Sequence, residues 1–266
     1  ELGWRDQVIF PRPYTVIYWQ GKFYPFDSIT STIPAFLLRH FPLTDVIRYG
    51  LVGGYLRFLA RWQPLEKVTA VEWTQRWFGQ RVYDLQLRPL LVSKFGEENL
   101  GVVNMAWLWA RLRSRTTRLG TFVGGFQAFL DRLAELLRAR GAEIRLATPV
   151  TAVRAVTNAD GAAQLRVETA VDRAIYDAVI STSSPALMAR LAPDLPANYT
   201  ARLQALKSMG AVVLIVALDR PLTQYYWHNL PKEAGFPFLA LVEHTNFIPT
   251  EHYGGDHLIY CGDYLN

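Results

Sequence analysis

The chain has 266 residues, half of them apolar, enough to fill one large core or two smaller ones. Its net charge is +5, but bases and acids interleave along the sequence, which excludes the clustered footprint of a nucleic-acid-binding protein. A single cysteine, Cys261, excludes an intrachain disulfide and fits a reducing compartment, and the longest clean apolar run, Ala211–Leu218, falls far short of the roughly 20 residues that span a bilayer.

The opening Glu1-Leu2-Gly3, without a leader pattern or a methionine, reads as the tail of a helix entered midway, so a fragment of a longer, soluble or membrane-peripheral protein is expected. Tyr14–Trp19 and Lys22–Phe26 are aromatic and β-branched runs joined by Gln20-Gly21, a hairpin signature, and Pro25 confines the second run to an edge or a strand end. From Asp27 to Arg113 the pattern turns helical. Asp27 and Ser28 offer capping oxygens, Thr44 could cap a helix containing Val46, Ile47, Leu51, Tyr55, Phe58, Leu59 and Trp62, and Thr69 with Glu72 spells a capping box. Trp73, Trp77, Trp107 and Trp109 fit a packed core or a helical lid over an apolar tunnel.

Gly124-Gly125 opens the clearest helix, with Phe126, Phe129, Leu130, Leu133, Leu136 and Leu137 on one face and Gly141 as its stop. It is expected to pack on a sheet. The glycine pair serves either a tight turn or a backbone approach to a phosphate. Strands are expected at 143–147, 150–156, 164–169 and 175–182, the last apolar enough to be buried on both faces. A helix then starts at Pro185, and Thr182–Pro185 reads equally as its cap or as a cofactor turn. Strands at 211–218, 238–243 and 257–262 should join the opening hairpin in one mixed sheet. The loop 243–246 places His244 and Asn246 either toward a pocket or in a solvated turn. The histidines show no metal-ligand spacing, so no metal is expected, and neither a Walker loop nor a Gly-x-Ser-x-Gly elbow is present.

The order of the Gly124-Gly125 helix, the strand entered through Thr148-Pro149-Val150, and the run Asp177–Ser181 leading into Thr182-Ser183-Ser184-Pro185 resembles the middle of the flavin amine oxidase, protoporphyrinogen oxidase and phytoene desaturase superfamily. The resemblance implies an α/β (mixed α+β) fold: part of an FAD/NAD(P)-binding Rossmann-like domain with a mixed-sheet substrate domain and a helical insert. Residues 1–26 would supply a hairpin of the substrate sheet, 27–113 the helical lid or insert, 114–190 the FAD-binding portion and 191–266 the rest of the substrate sheet.

The cofactor implied is FAD, with the Val150 backbone on the adenine, the turn Thr182, Ser183, Ser184 and Pro185 against the adenosine, and Gly124 and Gly125 at the helix start. Amine oxidases carry a lysine beside the flavin where this sequence has Leu214. That difference implies an apolar substrate such as a porphyrinogen or polyene, with Leu214, His244 and Asn246 as candidate substrate residues. The glycine-rich pyrophosphate loop and the closing flavin segment of the family do not occur in these residues, so this chain alone is expected to hold FAD poorly and to be inactive.

The activity implied is oxidation of an apolar substrate such as a porphyrinogen, polyene or amine, by hydride transfer to flavin from a C–H bond next to a nitrogen or within a polyene. A flavin-dependent isomerase or sugar-nucleotide mutase, and a non-catalytic binding module, stay open as alternatives. A small apolar substrate is the expected partner, in a cytoplasmic setting with peripheral membrane contact left open.

Overall fold

The computed structural model describes residues 2–265, apart from the side chain of Ile29. Among these the strands are β1 (Val8–Ile9), β2 (Thr15–Trp19), β3 (Lys22–Pro25), β4 (Thr121–Phe122), β5 (Val150–Thr157), β6 (Ala163–Thr169), β7 (Arg173–Tyr176), β8 (Gly210–Leu218), β9 (Trp227–Asn229), β10 (Ala240–Glu243) and β11 (His257–Leu265). The chain divides into two compact units, one of Glu1–Phe129 with Gly210–Asn266 and the other of Leu130–Met209.

In the first unit Gln20 and Gly21 both take positive φ, 46° and 83°, the twist that a two-residue hairpin needs to bring β2 onto β3. These strands open a six-stranded mixed sheet of order β3-β2-β9-β10-β11-β8, in which β2 and β9 are the parallel pair. β3 lies at the edge, where the missing N–H of Pro25 breaks no inner ladder.

Residues 29–113 are largely helical, with main helices Leu43–Gly54, Ala70–Phe78, Arg88–Phe95 and Met105–Arg113. Thr69 and Glu72 form the predicted capping box. Thr44 is not a cap; its helix starts from Pro42 with no side-chain cap. Three π-helical stretches, Ile33–Leu37, Tyr55–Leu59 and Tyr83–Leu87, interrupt the regular turns. Phe36, Leu56, Phe78, Leu91 and Met105 form the centre of this segment's own core, with Trp73, Trp107 and Trp109 packed against it. Trp73, Trp107 and Trp109 thus serve core packing, whereas Trp77 is 48% exposed.

The second unit is an antiparallel meander, β5-β6-β7, with the helix Pro185–Leu191 on β5 and the helix Ala197–Gln204 on that helix. Several sequence expectations change. Residues 143–147 form no strand, and Ala147 takes a φ of +52°. The strand expected at 175–182 stops at Tyr176; residues 178–182 join no ladder, and Ile180 is 92% exposed instead of buried on both faces. A strand is defined by its hydrogen-bonded neighbour, and these residues have none among the described ones. The helix Gly125–Ala139 forms as predicted, but none of its side chains is fully buried. Leu2 and Gly3 are not helical, and Glu1 lies outside the described residues.

Leu56 is wholly buried and Leu59, three positions on, is 75% exposed. Leu56→Ala is expected to cost about 2–5 kcal/mol by urea unfolding, and Leu59→Ala less than about 0.5 kcal/mol.

Candidate functional site

Pairing of β1 with β4 sets Val8 opposite Phe122 and brings the start of the chain against the segment that leads into the Gly124-Gly125 helix. Trp4, Phe122 and Phe129 meet edge to face, with ring centroids 5.5 to 6.3 Å apart. Together with Leu2, Gly120 and Phe126 they line an open cavity of about 500 Å³ whose walls are almost wholly apolar, Arg5 being the one charged residue. Gly124 and Gly125 both take positive φ, 83° and 81°. A Cβ on Gly124 would sit 2.9 Å from that of Ala128, whereas one on Gly125 would meet nothing within 4 Å. The first glycine thus serves the turn itself, and the second leaves open backbone beside the cavity residue Phe126.

In the second unit Val150 heads β5 and lines a cavity of about 370 Å³ with Val167, Thr169, Tyr176 and a charged rim. On that rim Arg145 donates to Glu143 at 2.6 Å and to Asp172 at 2.7 Å. These bonds hold both carboxyls below their usual range and push the guanidinium up. The ladder shifts register between Val150 and Ala152, a bulge that leaves Thr151 without an opposite residue and disturbs the backbone pairing at the head of the strand.

The candidate turn belongs to the helix that packs on β5. Ser184 accepts the Leu187 N–H at 3.3 Å as the helix cap, Pro185 occupies the first helical turn, and the Ser183 hydroxyl pairs with that of Ser181 at 2.8 Å. Thr182 is exposed. Two of the four turn residues are therefore engaged in ordinary capping. Val150 and the turn thus belong to elements that touch, β5 and the helix Pro185–Leu191.

The three candidate substrate residues line neither cavity. Leu214 is 62% exposed on β8, opposite Cys261. His244 places Nε2 2.7 Å from the Tyr253 hydroxyl among the rings of Tyr226, Phe247 and Tyr260, and burial pushes its pKa down. Asn246 donates to the carbonyls of Thr223 and Tyr225 at 3.1 and 2.8 Å, so its amide braces a turn rather than facing a ligand.

That turn has a second anchor which sequence reasoning missed. Glu243 is fully buried and accepts from the Leu222 N–H at 2.9 Å, the Thr223 N–H at 2.6 Å and the Thr223 hydroxyl at 2.9 Å. His228, 1% exposed, lies with Nε2 3.0 Å from the same hydroxyl and Nδ1 3.1 Å from the Leu241 carbonyl. A carboxylate ending an apolar strand was the available signal.

The sequence matches the family model of flavin containing amine oxidoreductases over residues 1–260, and the chain belongs to that family. FAD is the cofactor that membership implies. No curated protein matches the sequence. Among solved structures the fold is similar to an oxidoreductase from Methanosarcina mazei, with 16% identity, 97% of this chain and 62% of that one covered, and a TM-score of 0.70. It is similar as well to a reduced UDP-galactopyranose mutase, with 14% identity, 97% and 58% covered, and a TM-score of 0.67. Cyclohexylamine oxidase from Brevibacterium oxydans gives 13% identity, 100% and 59% covered, and a TM-score of 0.61. The chain thus spans 58% to 62% of the length of these relatives.

Burial also lowers the pKa of His228, below the ordinary imidazole value of 6.5. The unfolded chain then binds protons that the folded site resists. Stability is complete above that value and is lost as the pH falls from it through the depressed folded pKa. Urea unfolding from neutral pH downward should show this decline, and His228→Phe should reduce it, with His244 adding in the same direction and the depressed carboxyls of Asp27, Glu143 and Asp172 adding at more acid pH.

Proposed function

We propose that the whole protein is an FAD-dependent oxidoreductase acting on an apolar substrate of porphyrinogen, polyene or hydrophobic amine type. The observation that carries this is the 500 Å³ cavity beside the Gly124-Gly125 turn, walled by Trp4, Phe122, Phe126 and Phe129. Such walls suit an apolar ring system. They offer little to the charged diphosphate of a sugar nucleotide, which needs cationic or hydrogen-bonding partners, and this weighs against a mutase.

FAD supplies the chemistry when bound, accepting a hydride from the substrate. The chain's own part is orientation and exclusion of water. The Val150 backbone, at the bulge, would hold the adenine, and the Thr182–Pro185 turn would lie along the adenosine. Leu214, apolar where amine oxidases carry lysine, fits the same substrate class.

The test uses the whole protein. Val150→Pro, which removes a backbone donor, should weaken FAD binding more than Val150→Ala does, read from flavin absorbance after dialysis. Turnover should consume one two-electron acceptor per product. A protein that stays colourless at saturating FAD would overturn the cofactor assignment, and turnover without acceptor consumption would favour an isomerase.

A further inference from the structure

The helix Leu43–Gly54 and the π-helical stretch Tyr55–Leu59 that continues it carry two apolar faces. Val46 and Leu56 enter the core, at 8% and 0% exposure. On the outward side Leu43, Ile47, Leu51, Phe58 and Leu59 are 55% to 75% exposed, and Tyr55 and Trp62 about half so. Leu43, Ile47 and Leu51 repeat every four residues, so they form one stripe and not scattered exposures.

Cations surround this stripe. Arg48 donates to the carbonyls of Trp77 and Arg76 at 2.7 and 2.6 Å, which places it beside Arg76. Arg57 donates to the carbonyls of Leu112 and Arg113 at 2.7 and 2.8 Å, and Arg113 returns a bond to the Arg57 carbonyl at 2.6 Å. Arg61 follows in an exposed position. Among the described residues none of these five arginines has a carboxylate partner within ion-pair distance. Of the acids near them in sequence, Asp45 is paired with Arg81 at 3.7 Å, Glu72 is bonded to Thr69, and Glu66 is exposed.

We propose that this face seats on an anionic bilayer surface. An apolar stripe bordered by arginines whose charge no carboxylate neutralises, with Tyr55 and Trp62 beside it, matches the layered chemistry of that surface: acyl chains under the stripe, headgroup phosphates against the arginines. The seat lies in the membrane plane, because among the described residues no helix is long and apolar enough to cross. The proposal is independent of the flavin assignment.

Flotation of the whole protein with vesicles tests it. The protein should bind vesicles of phosphatidylglycerol with phosphatidylcholine and not those of phosphatidylcholine alone. Leu51→Ser combined with Phe58→Ser should lower the partition about tenfold or more. Arg61→Ala should lower it about fivefold, and added salt should weaken it further. Val213→Ser, which alters an exposed apolar side chain on β8, should change nothing. Circular dichroism confirms folding, and the salt dependence and Arg61→Ala give readouts that do not rely on the stripe variants. Failure of the folded protein to bind anionic vesicles would overturn the proposal. So would binding abolished by Val213→Ser but spared by the stripe variants, or a dimer that the stripe variants dissociate without any vesicle binding.

Discussion

The parallel contact between β2 and β9 holds the larger unit together. Val16 lies opposite His228, each 1% exposed, and the Asn229 amide donates to the Val16 carbonyl at 3.1 Å across 213 positions of sequence. Closing so long a loop costs only logarithmically more than closing a short one, but nothing local rewards it until the strands have met. The reward is the six-stranded sheet, which ties the opening hairpin to the C-terminal strands and anchors one end of the helical segment. Without this contact, β2 and β3 would be an isolated hairpin, marginal in water at best.

A buried polar clamp stands beside that contact. Glu243, Thr223, His228 and Asn246 satisfy one another and the surrounding backbone in a region with little water. A buried carboxylate is costly unless its oxygens are bonded, and here two backbone N–H groups and a hydroxyl meet that need. The result is a rigid turn between β8 and β9. Two residues of the loop that the sequence leaves open between a pocket and a turn, Glu243 and Asn246, hold this scaffold.

The exposed apolar surface falls into two kinds. On β8 the consecutive residues Val212, Val213, Leu214 and Ile215 are 49% to 62% exposed, so both faces of the strand are open, and Ile180 stands bare in an unpaired stretch. These have the composition of strands meant for burial, in a chain that spans 58% to 62% of the length of its structural relatives. The stripe along 43–59 differs, because arginines border it and the face behind it is fully packed. Only the second kind has the chemistry of a surface seated on anionic lipid.

Local sequence determined what depends on neighbouring residues. Gln20-Gly21 specified a hairpin, Thr69 and Glu72 a capping box, Gly124-Gly125 a helix start, and their order with Thr148–Val150 and Thr182–Pro185 the flavin family. Tertiary structure decided what depends on distant partners. The periodicity of Leu43, Ile47 and Leu51 is the same whether the stripe faces in or out, so only packing of Val46 and Leu56 revealed which side is the core. The apolar run through Ile180 reads as a buried strand, but a ladder needs a second strand, and the described residues provide none. Asn246 and Glu243 could not be assigned from sequence because their partners, Thr223 and Tyr225, lie about twenty residues away, in a turn that exists only once β8, β9 and β10 are paired. Residue pattern encodes local geometry; burial and polar partnership belong to the assembled chain.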